Sequence, residues 1–311
     1  MMFLIFLFAA LALGLQKREL PDEPIRVNET CSSSIHLDWK AVAVLRSVRV
    51  TRHSAPPRIY CVINTMEAYH KTRVAAVKAT WARRCDGLTF ISNLTDAALP
   101  SVALNFTGDE SHGNLWQKTR AMGLWLRDQP LYEEYDWVLR ADDDAYVVMD
   151  NLRHYLASPE ITRFQPRHHK LVLGHVFDRP QTNRWFVAGS AFVLSAAAID
   201  AFATAVRTGK CNAGARSGAD DVEICVCLQK QYDVIPLDTR DTFGRHRFHM
   251  LSADGSATVH NWNASSSWVH NMHSYLRSGL DCCSDMSISF HYVSPTQMAE
   301  YERLLYRCRI D

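Results

Sequence analysis

The sequence predicts an α/β protein built on a parallel sheet with helices on both faces, and three observations lead there. From Arg58 onward, short apolar runs of strand type alternate with longer segments of helical composition. That βαβαβα order implies parallel strands joined by crossover helices. The run "YDWVLRA" then ends at three adjacent carboxylates, Asp142, Asp143 and Asp144, at the carboxyl end of a strand, where open α/β sheets bind ligands. Finally, 311 residues with 47% hydrophobic and 22% charged composition bury a full core, which excludes a disordered or fibrous chain.

The elements follow in order. "RIYCVINT" (58–65) is a strand, and "MEAYHKTRVAAVKATWARRC" (66–85) has helical composition. "LTFISN" (88–93) is a second strand. "GNLWQKTRAMGLWLRDQ" (113–129) is a helix with Leu115, Met122 and Leu126 on one face. "YDWVLRA" (135–141) is the third strand, followed by the helix "MDNLRHYLAS" (149–158). The second half continues with "KLVLGHV" (170–176) and "WFVAGSAFVLS" (185–195) as strands, then the helical "AAAIDAFATAV" (196–206). "ADDVEICVCLQKQ" (219–231) opens a helix on acids, "YDVIPLD" (232–238) reads as a strand, and "SPTQMAEYERLLYRCR" (294–309) as a terminal helix. Residues 243–281, rich in aromatics and histidine, receive no assignment.

The N-terminus places the chain in the secretory route. Residues 1–15, MMFLIFLFAALALGL, carry no charge; as a helix they span about 22 Å, short of the roughly 30 Å of a bilayer core. They read as a signal-peptide core or a short signal-anchor, with Lys17 and Arg18 after the apolar run. Residues 16–57, punctuated by Pro21, Pro24, Pro56 and Pro57, read as a stem or linker. The folded domain is then 58–308, divided after the aspartate triplet into halves at 58–150 and 151–308. Nine cysteines and four sequons, at Asn28, Asn93, Asn105 and Asn263, agree with an oxidising lumen. The spacing of Cys225 with Cys227 and of Cys282 with Cys283 does not fit zinc knuckles. The odd count leaves at least one thiol unpaired or bridged to another chain. A net charge of +1 gives no basis for nucleic-acid binding.

Adjacent like charges repel, so the aspartate triplet expects something positive among them. Asp142 and Asp144 suit a hard cation, Mn²⁺ or Mg²⁺, that neutralises the phosphates of a nucleotide. A solvated acidic turn or helix cap is the plainer reading. Asp220 and Asp221 open a predicted helix, where acids complement the dipole; a general base that deprotonates an attacking hydroxyl is the functional alternative. His291, in "SISFHYV", is a structural histidine or a third metal ligand. Trp268, Phe248 and His249 are core aromatics or sugar-stacking faces.

At residue level the chain resembles the core 1 β1,3-galactosyltransferase family. The motifs that carry this are "VKATWARRC" (77–85), "WVLRADDDAYVVMDNLRHYL" (137–156), "FVLS" (192–195), and "KC" (210–211) followed by "DDVEICVC" (220–227). "DTRDTFGRHRFH" (238–249) and "DCCSDMSISFHYVSPTQM" (281–298) complete the set, in family order over about residues 58–308. The resemblance implies a GT-A fold, UDP-galactose as donor, GalNAc-bearing glycoproteins as acceptors, and Mn²⁺. It implies Asp142, Asp144 and His291 as the metal group, Asp142 and Asp143 with Lys118 beside the nucleotide, and Asp221 as general base. Trp268, Gly189, Asp220 and Phe248 fall on the acceptor side. It also implies Cys61–Cys85 and Cys211–Cys227 pairs, with Cys282 and Cys283 bridged to each other or elsewhere. A Golgi membrane location of single-pass type II follows, with secretion after cleavage as the alternative and a homodimer left open.

Two departures from the family pattern bear on specificity. Relatives carry "GGAG" where this chain has Ala188, Gly189, Ser190 and Ala191, and a run of Trp and Tyr where it has "WVHNMHSYLRSGL". The competing readings are a related β1,3-glycosyltransferase of fringe type with another donor or acceptor, and a non-catalytic, chaperone-like relative. The latter would be expected to lose the acids that this chain retains.

Overall fold

The computed structural model describes residues 36–48, 56–129, 133–179, 184–258, 277 and 279–308. Helix α1 (Trp39–Val44) is followed by strand β1 (Ile59–Asn64). A helical stretch from Glu67 to Arg84 then changes pitch repeatedly, with only Ala75–Ala79 regular α-helix (α2). Next come β2 (Gly87–Ser92), β3 (Ser101–Ala103), α3 (Leu115–Arg127), β4 (Trp137–Asp142), β5 (Tyr146–Val147), α4 (Met149–Leu156) and α5 (Pro159–Thr162). The second half contains β6 (Val172–Arg179), β7 (Arg184–Ser195), α6 (Ala196–Arg207), α7 (Asp220–Tyr232), β8 (Leu237–Asp238), α8 (Ala253–Thr258), β9 (Ser289–Phe290) and α9 (Pro295–Arg303).

The main sheet runs β3-β2-β1-β4-β7-β6-β8. Its first half is parallel, as the alternation of strand and helix predicts. The second half departs: β7 runs antiparallel to both β4 and β6, so the sheet is mixed. The expected strand 232–238 shrinks to Leu237–Asp238, because Tyr232 completes the last turn of α7. This α/β sheet carries its acids at the end of β4, the carboxyl edge where the motifs imply the site.

Alternation along the strands builds two cores. Ile59, Cys61 and Ile63 of β1 join Leu139 and Ala141 of β4 on one face, under Trp81, Leu152 and Tyr301. Tyr60, Val62 and Val138 point the other way, against Trp116, Met122 and Leu126 of α3, Phe202 of α6 and Ile224 of α7. The linker expected over 16–57 is partly corrected here. Asp38 caps α1, and Ala41, Val44 and Leu45 are buried in the first core. An apolar face at that spacing is drawn into the fold because it has core to cover. Residues 1–35 lie outside the described residues, and among those described no helix is long and apolar enough to cross a membrane.

Disulfides join Cys61 to Cys85, Cys211 to Cys227 and Cys282 to its neighbour Cys283, and Cys308 is bridged as well. Among the described residues the free thiol is Cys225, buried on α7.

Candidate active site

β4 delivers the aspartate triplet. The strand ends at Asp142, and Ala145 N–H returns to the Asp142 carbonyl at 3.2 Å, closing a tight turn over Asp143 and Asp144. Trp81 Nε1 donates to the Ala145 carbonyl at 2.8 Å and pins that turn from the first core. Each carboxylate then meets a different partner. Asp142 Oδ1 lies 2.9 Å from Arg140 Nη1. Asp143 accepts from Thr65 Oγ1 at 2.6 Å and from Arg73 Nη1 at 3.1 Å. Asp144 has Arg73 at 3.8 Å on one oxygen, while its buried Oδ1 has no hydrogen-bond donor.

His291 reaches the triplet through a small second sheet. Tyr146 and Val147 of β5 pair antiparallel with Phe290 and Ser289 of β9, and Val293 N–H donates to the Asp144 carbonyl at 2.9 Å. His291 Nε2 then sits 3.6 Å from Asp144 Oδ1. Burial, with Arg140 adding to it, pulls the His291 pKa down to about 4, so the imidazole is neutral at physiological pH and the approach is not an ion pair. At 3.6 Å the two atoms are too far apart for a hydrogen bond, which leaves Asp144 Oδ1 unsatisfied. Tyr292 follows with a left-handed φ of 54° and its ring stacked on that of His291.

One potential ligand atom each from Asp142, Asp144 and His291 lies within 4.8 Å of the others, the one such group found among the described residues. Hard carboxylate oxygens, a neutral imidazole and an orphaned buried oxygen suit a divalent cation. Burial, reinforced by Asp220 and Asp144 and opposed by Arg140, pushes the Asp142 carboxyl up to about 7. Burial also raises Asp143 and Asp144. Each of these shifts marks negative charge short of compensation.

Arg140 ties the triplet to α7. Its guanidinium is 1% exposed, with Nη1 on Asp142 and Nη2 2.6 Å from Asp220 Oδ2. That same oxygen accepts from Thr119 Oγ1 at 2.6 Å. Asp220 is thereby committed inside the protein, so the acceptor-side position expected for it is corrected: its charge is needed by a buried cation. Asp221, beside it, accepts from the Val222 N–H at 2.8 Å. Burial and the neighbouring Asp220 raise Asp221 to about 7, poised for proton transfer near neutrality.

The remaining expected residues divide. Lys118 is buried on α3, donating to the Thr65 carbonyl at 2.5 Å and to Glu110 at 2.6 Å; burial, opposed by Glu110, lowers its pKa. Gly189 takes a φ of 101° in β7, which favours glycine, while an added Cβ would make only ordinary contacts, with the His249 carbonyl at 3.5 Å and Met250 at 3.9 Å. Phe248 is a correction: it is packed in the first core and offers no face to a sugar, its carbonyl instead meeting His175 Nδ1 at 2.8 Å. Trp268 lies outside the described residues. Arg140, Arg73, Thr65 and Thr119 were not anticipated. The signal for Arg140 was a charge inside an apolar strand, "WVLRAD", two residues before Asp142 and so on the same face.

A carboxylate and imidazole cluster at the carboxyl edge of this sheet, with an acid pair opening α7, defines a metal-dependent glycosyltransferase. Residues 54–299 match the Fringe-like family, and the chain belongs to it. It is 34% identical over 254 residues to glycoprotein-N-acetylgalactosamine 3-beta-galactosyltransferase 1 from Xenopus laevis, covering 81% of this chain and 67% of the frog protein. This bears out the resemblance read from the motifs. A beta-1,3-glucosyltransferase from Mus musculus is 24% identical over 99 residues, 32% of this chain and 20% of the mouse protein. Among solved structures, the mannosyltransferase PcManGT from Pyrobaculum calidifontis, in complex with GDP-Man and Mn²⁺, aligns with 14% identity over 65% of this chain and 61% of its own. Its TM-score of 0.35 is too low to add to the fold.

Proposed function

We propose that the protein transfers galactose from UDP-galactose to O3 of GalNAcα-Ser/Thr on glycoproteins, with inversion, to give the β1,3-linked disaccharide. The convergence of Asp142, Asp144 and His291, tied through Arg140 and Asp220 to the helix start that carries Asp221, carries this reading. Asp142, Asp144 and His291 hold the cation, which when bound supplies positive charge for the departing diphosphate. Asp221 accepts the proton of the acceptor O3 as that oxygen attacks the anomeric carbon from the face opposite UDP. Burial and the neighbouring Asp220 raise this carboxyl above the ordinary range, which makes it a stronger base than a free aspartate and suits that task. Arg140 holds Asp142 and Asp220 in place, and Asp143 anchors the turn through Thr65 and Arg73. No covalent enzyme intermediate is needed.

The apolar N-terminus and the sequons support a lumenal site of action in the Golgi, as a single-pass type II membrane protein or, after cleavage, a secreted one. A homodimer is tested by sedimentation of the purified lumenal domain. The enzymatic reading is tested by incubating residues 31–311, secreted from cells, with UDP-galactose and a GalNAcα-Ser/Thr peptide, in Mn²⁺ and in EDTA. Metal-dependent formation of the β1,3 disaccharide is the expected result. A well-folded preparation that transfers only another sugar, or uses only another acceptor, would sink the assigned specificity; one inert toward all donors would favour the chaperone-like reading.

A further inference from the structure

The carboxyl edge of the sheet carries a row of polar side chains that the chemistry above leaves partly unused. β1 and β4 pair with Asn64 level with Asp142. β4 and β7 pair with Ala141 opposite Ala191, so the next step along the ladder sets Ser190 beside Asp142. Level residues on neighbouring strands share a face. Ala141 and Ala191 belong to the first core, whereas Val138 and Phe192 belong to the second. Asn64, Asp142 and Ser190 therefore alternate onto the second face, the side on which Arg140 meets α7.

The two flanking side chains are buried and unpaired. Asn64 is 5% exposed and Ser190 1%, yet neither amide atom of Asn64 nor the Ser190 hydroxyl has a hydrogen-bond partner. Interiors leave few such groups unsatisfied, and those that remain call for a ligand, ion or water. The nearby charged groups are already engaged: Arg140 with Asp142 and Asp220, Lys118 with Thr65 and Glu110.

The local backbone is irregular beside Ser190. The ladder between β6 and β7 is irregular just where β7 passes Gly189 and Ser190, and Gly189 takes its φ of 101° there. Irregularities of this kind re-aim side chains beside active sites. Ala188, packed against the second core, adds a small side chain nearby. One step beyond the last pair of that ladder, Ser190 falls about 5 Å, one strand spacing, from Asp142, on the face where Arg140 meets Asp220 at the start of α7. An inverting displacement puts the hexose there, because its anomeric carbon must lie between the diphosphate and Asp221.

We propose that the Ser190 hydroxyl hydrogen-bonds a hydroxyl of the hexose carried by the nucleotide donor, which makes Ser190 a specificity-determining residue for the transferred sugar and not for the nucleotide. This rests on the glycosyltransferase reading and deepens it.

The test compares the wild type with Ser190→Ala in Mn²⁺, using UDP-galactose, its 2-, 4- and 6-deoxygalactose analogues, and UDP alone. Loss of a hydroxyl contact in a site built to make it should lower kcat/KM for UDP-galactose roughly 10-fold or more. One deoxy analogue should be used equally well by both proteins, since its missing hydroxyl is the partner of Ser190. Affinity for UDP should not change, and melting without ligand should not fall, because the hydroxyl has no partner to lose. Equal kcat/KM for UDP-galactose in both proteins would overturn the proposal. So would a variant equally impaired with every analogue, or one that loses UDP affinity to the same extent. If the wild type instead transfers another hexose and Ser190→Ala is selectively impaired with it, the donor assignment falls while the role of Ser190 stands.

Discussion

Replacing Arg140 by methionine removes the cation that two carboxylates share. Methionine keeps much of the unbranched stem, so the change is mainly one of charge. The guanidinium is 1% exposed and lies 2.9 Å from Asp142 and 2.6 Å from Asp220. Deleting one partner of a buried pair costs about 3–5 kcal/mol, because the other charge stays behind. The two carboxylates do not weigh equally. Asp142 keeps 29% of its side chain open to solvent, so its share is smaller than that of Asp220. Asp220 is buried and would retain only the Thr119 hydroxyl, so it carries most of the loss. The expected deficit is about 3–5 kcal/mol at about pH 8. Without Arg140 the Asp142 carboxyl, already raised by burial, rises further above its unfolded range. Such a contribution is present below the unfolded range, about 4, and is lost as pH rises through the raised folded values. The deficit should therefore be smaller at about pH 5.5. Urea unfolding followed by tryptophan fluorescence at both pH values measures it. Arg140→Lys should recover only part, since an ammonium lacks the planar fork that spans two carboxylates. A loss below about 1 kcal/mol at the higher pH, or one that grows on acidification, refutes the reasoning.

Asp144→Asn and Asp221→Asn should each abolish transfer while leaving far-ultraviolet circular dichroism unchanged; near-normal turnover in either variant would remove that residue from the mechanism. For Asp221→Asn the expected fall in kcat is ~100-fold or more, the usual contribution of a general base. Mn²⁺ at 100 times its Kd should stabilise the wild type by ~2.7 kcal/mol. The gain should be larger above about pH 7 than below it, because Asp142, raised to about 7, must release its proton to bind the ion. Thermal unfolding with and without metal reads this, and a metal shift independent of pH, or preserved in Asp144→Asn, would contradict it. Leu45→Ala should cost about 2–5 kcal/mol in urea unfolding, as expected of a core residue and not of a linker.

The parts of this molecule legible in the sequence are those determined by local periodicity. β1, β2, α3, β4, α4, α6 and α7 stand where alternation and helical spacing predict them, since each buries a continuous apolar face. The antiparallel turn of β7 was not legible, because a fully buried strand reads the same in either direction. α1 was missed because prolines flank it and its apolar face is only six residues long. In the site, Asp142 and Asp144 could be read from their place after a strand. Arg140 needed the strand's alternation to be followed back two residues. Thr119 and Asp220 needed contacts 101 residues apart, and no local pattern specifies those. Phe248 was misread for a related reason: composition names an aromatic residue but not which way it faces.

The same distinction explains why the site is assembled as it is. Three adjacent aspartates on one turn would repel if left alike, and the fold makes them unlike by giving each a different environment. Asp143 is held by hydrogen bonds from Arg73 and Thr65 and becomes a structural anchor. Asp142 shares Arg140 with Asp220, which couples the turn to the helix that carries Asp221. Asp144 is left with an unpaired oxygen facing a neutral imidazole. Only that last arrangement is incomplete without a cation. A displacement of the turn by a single residue would therefore do more than remove a ligand. It would put the wrong carboxylate under Arg140 and leave the anchor facing the site, so the order of the three acids matters as much as their number.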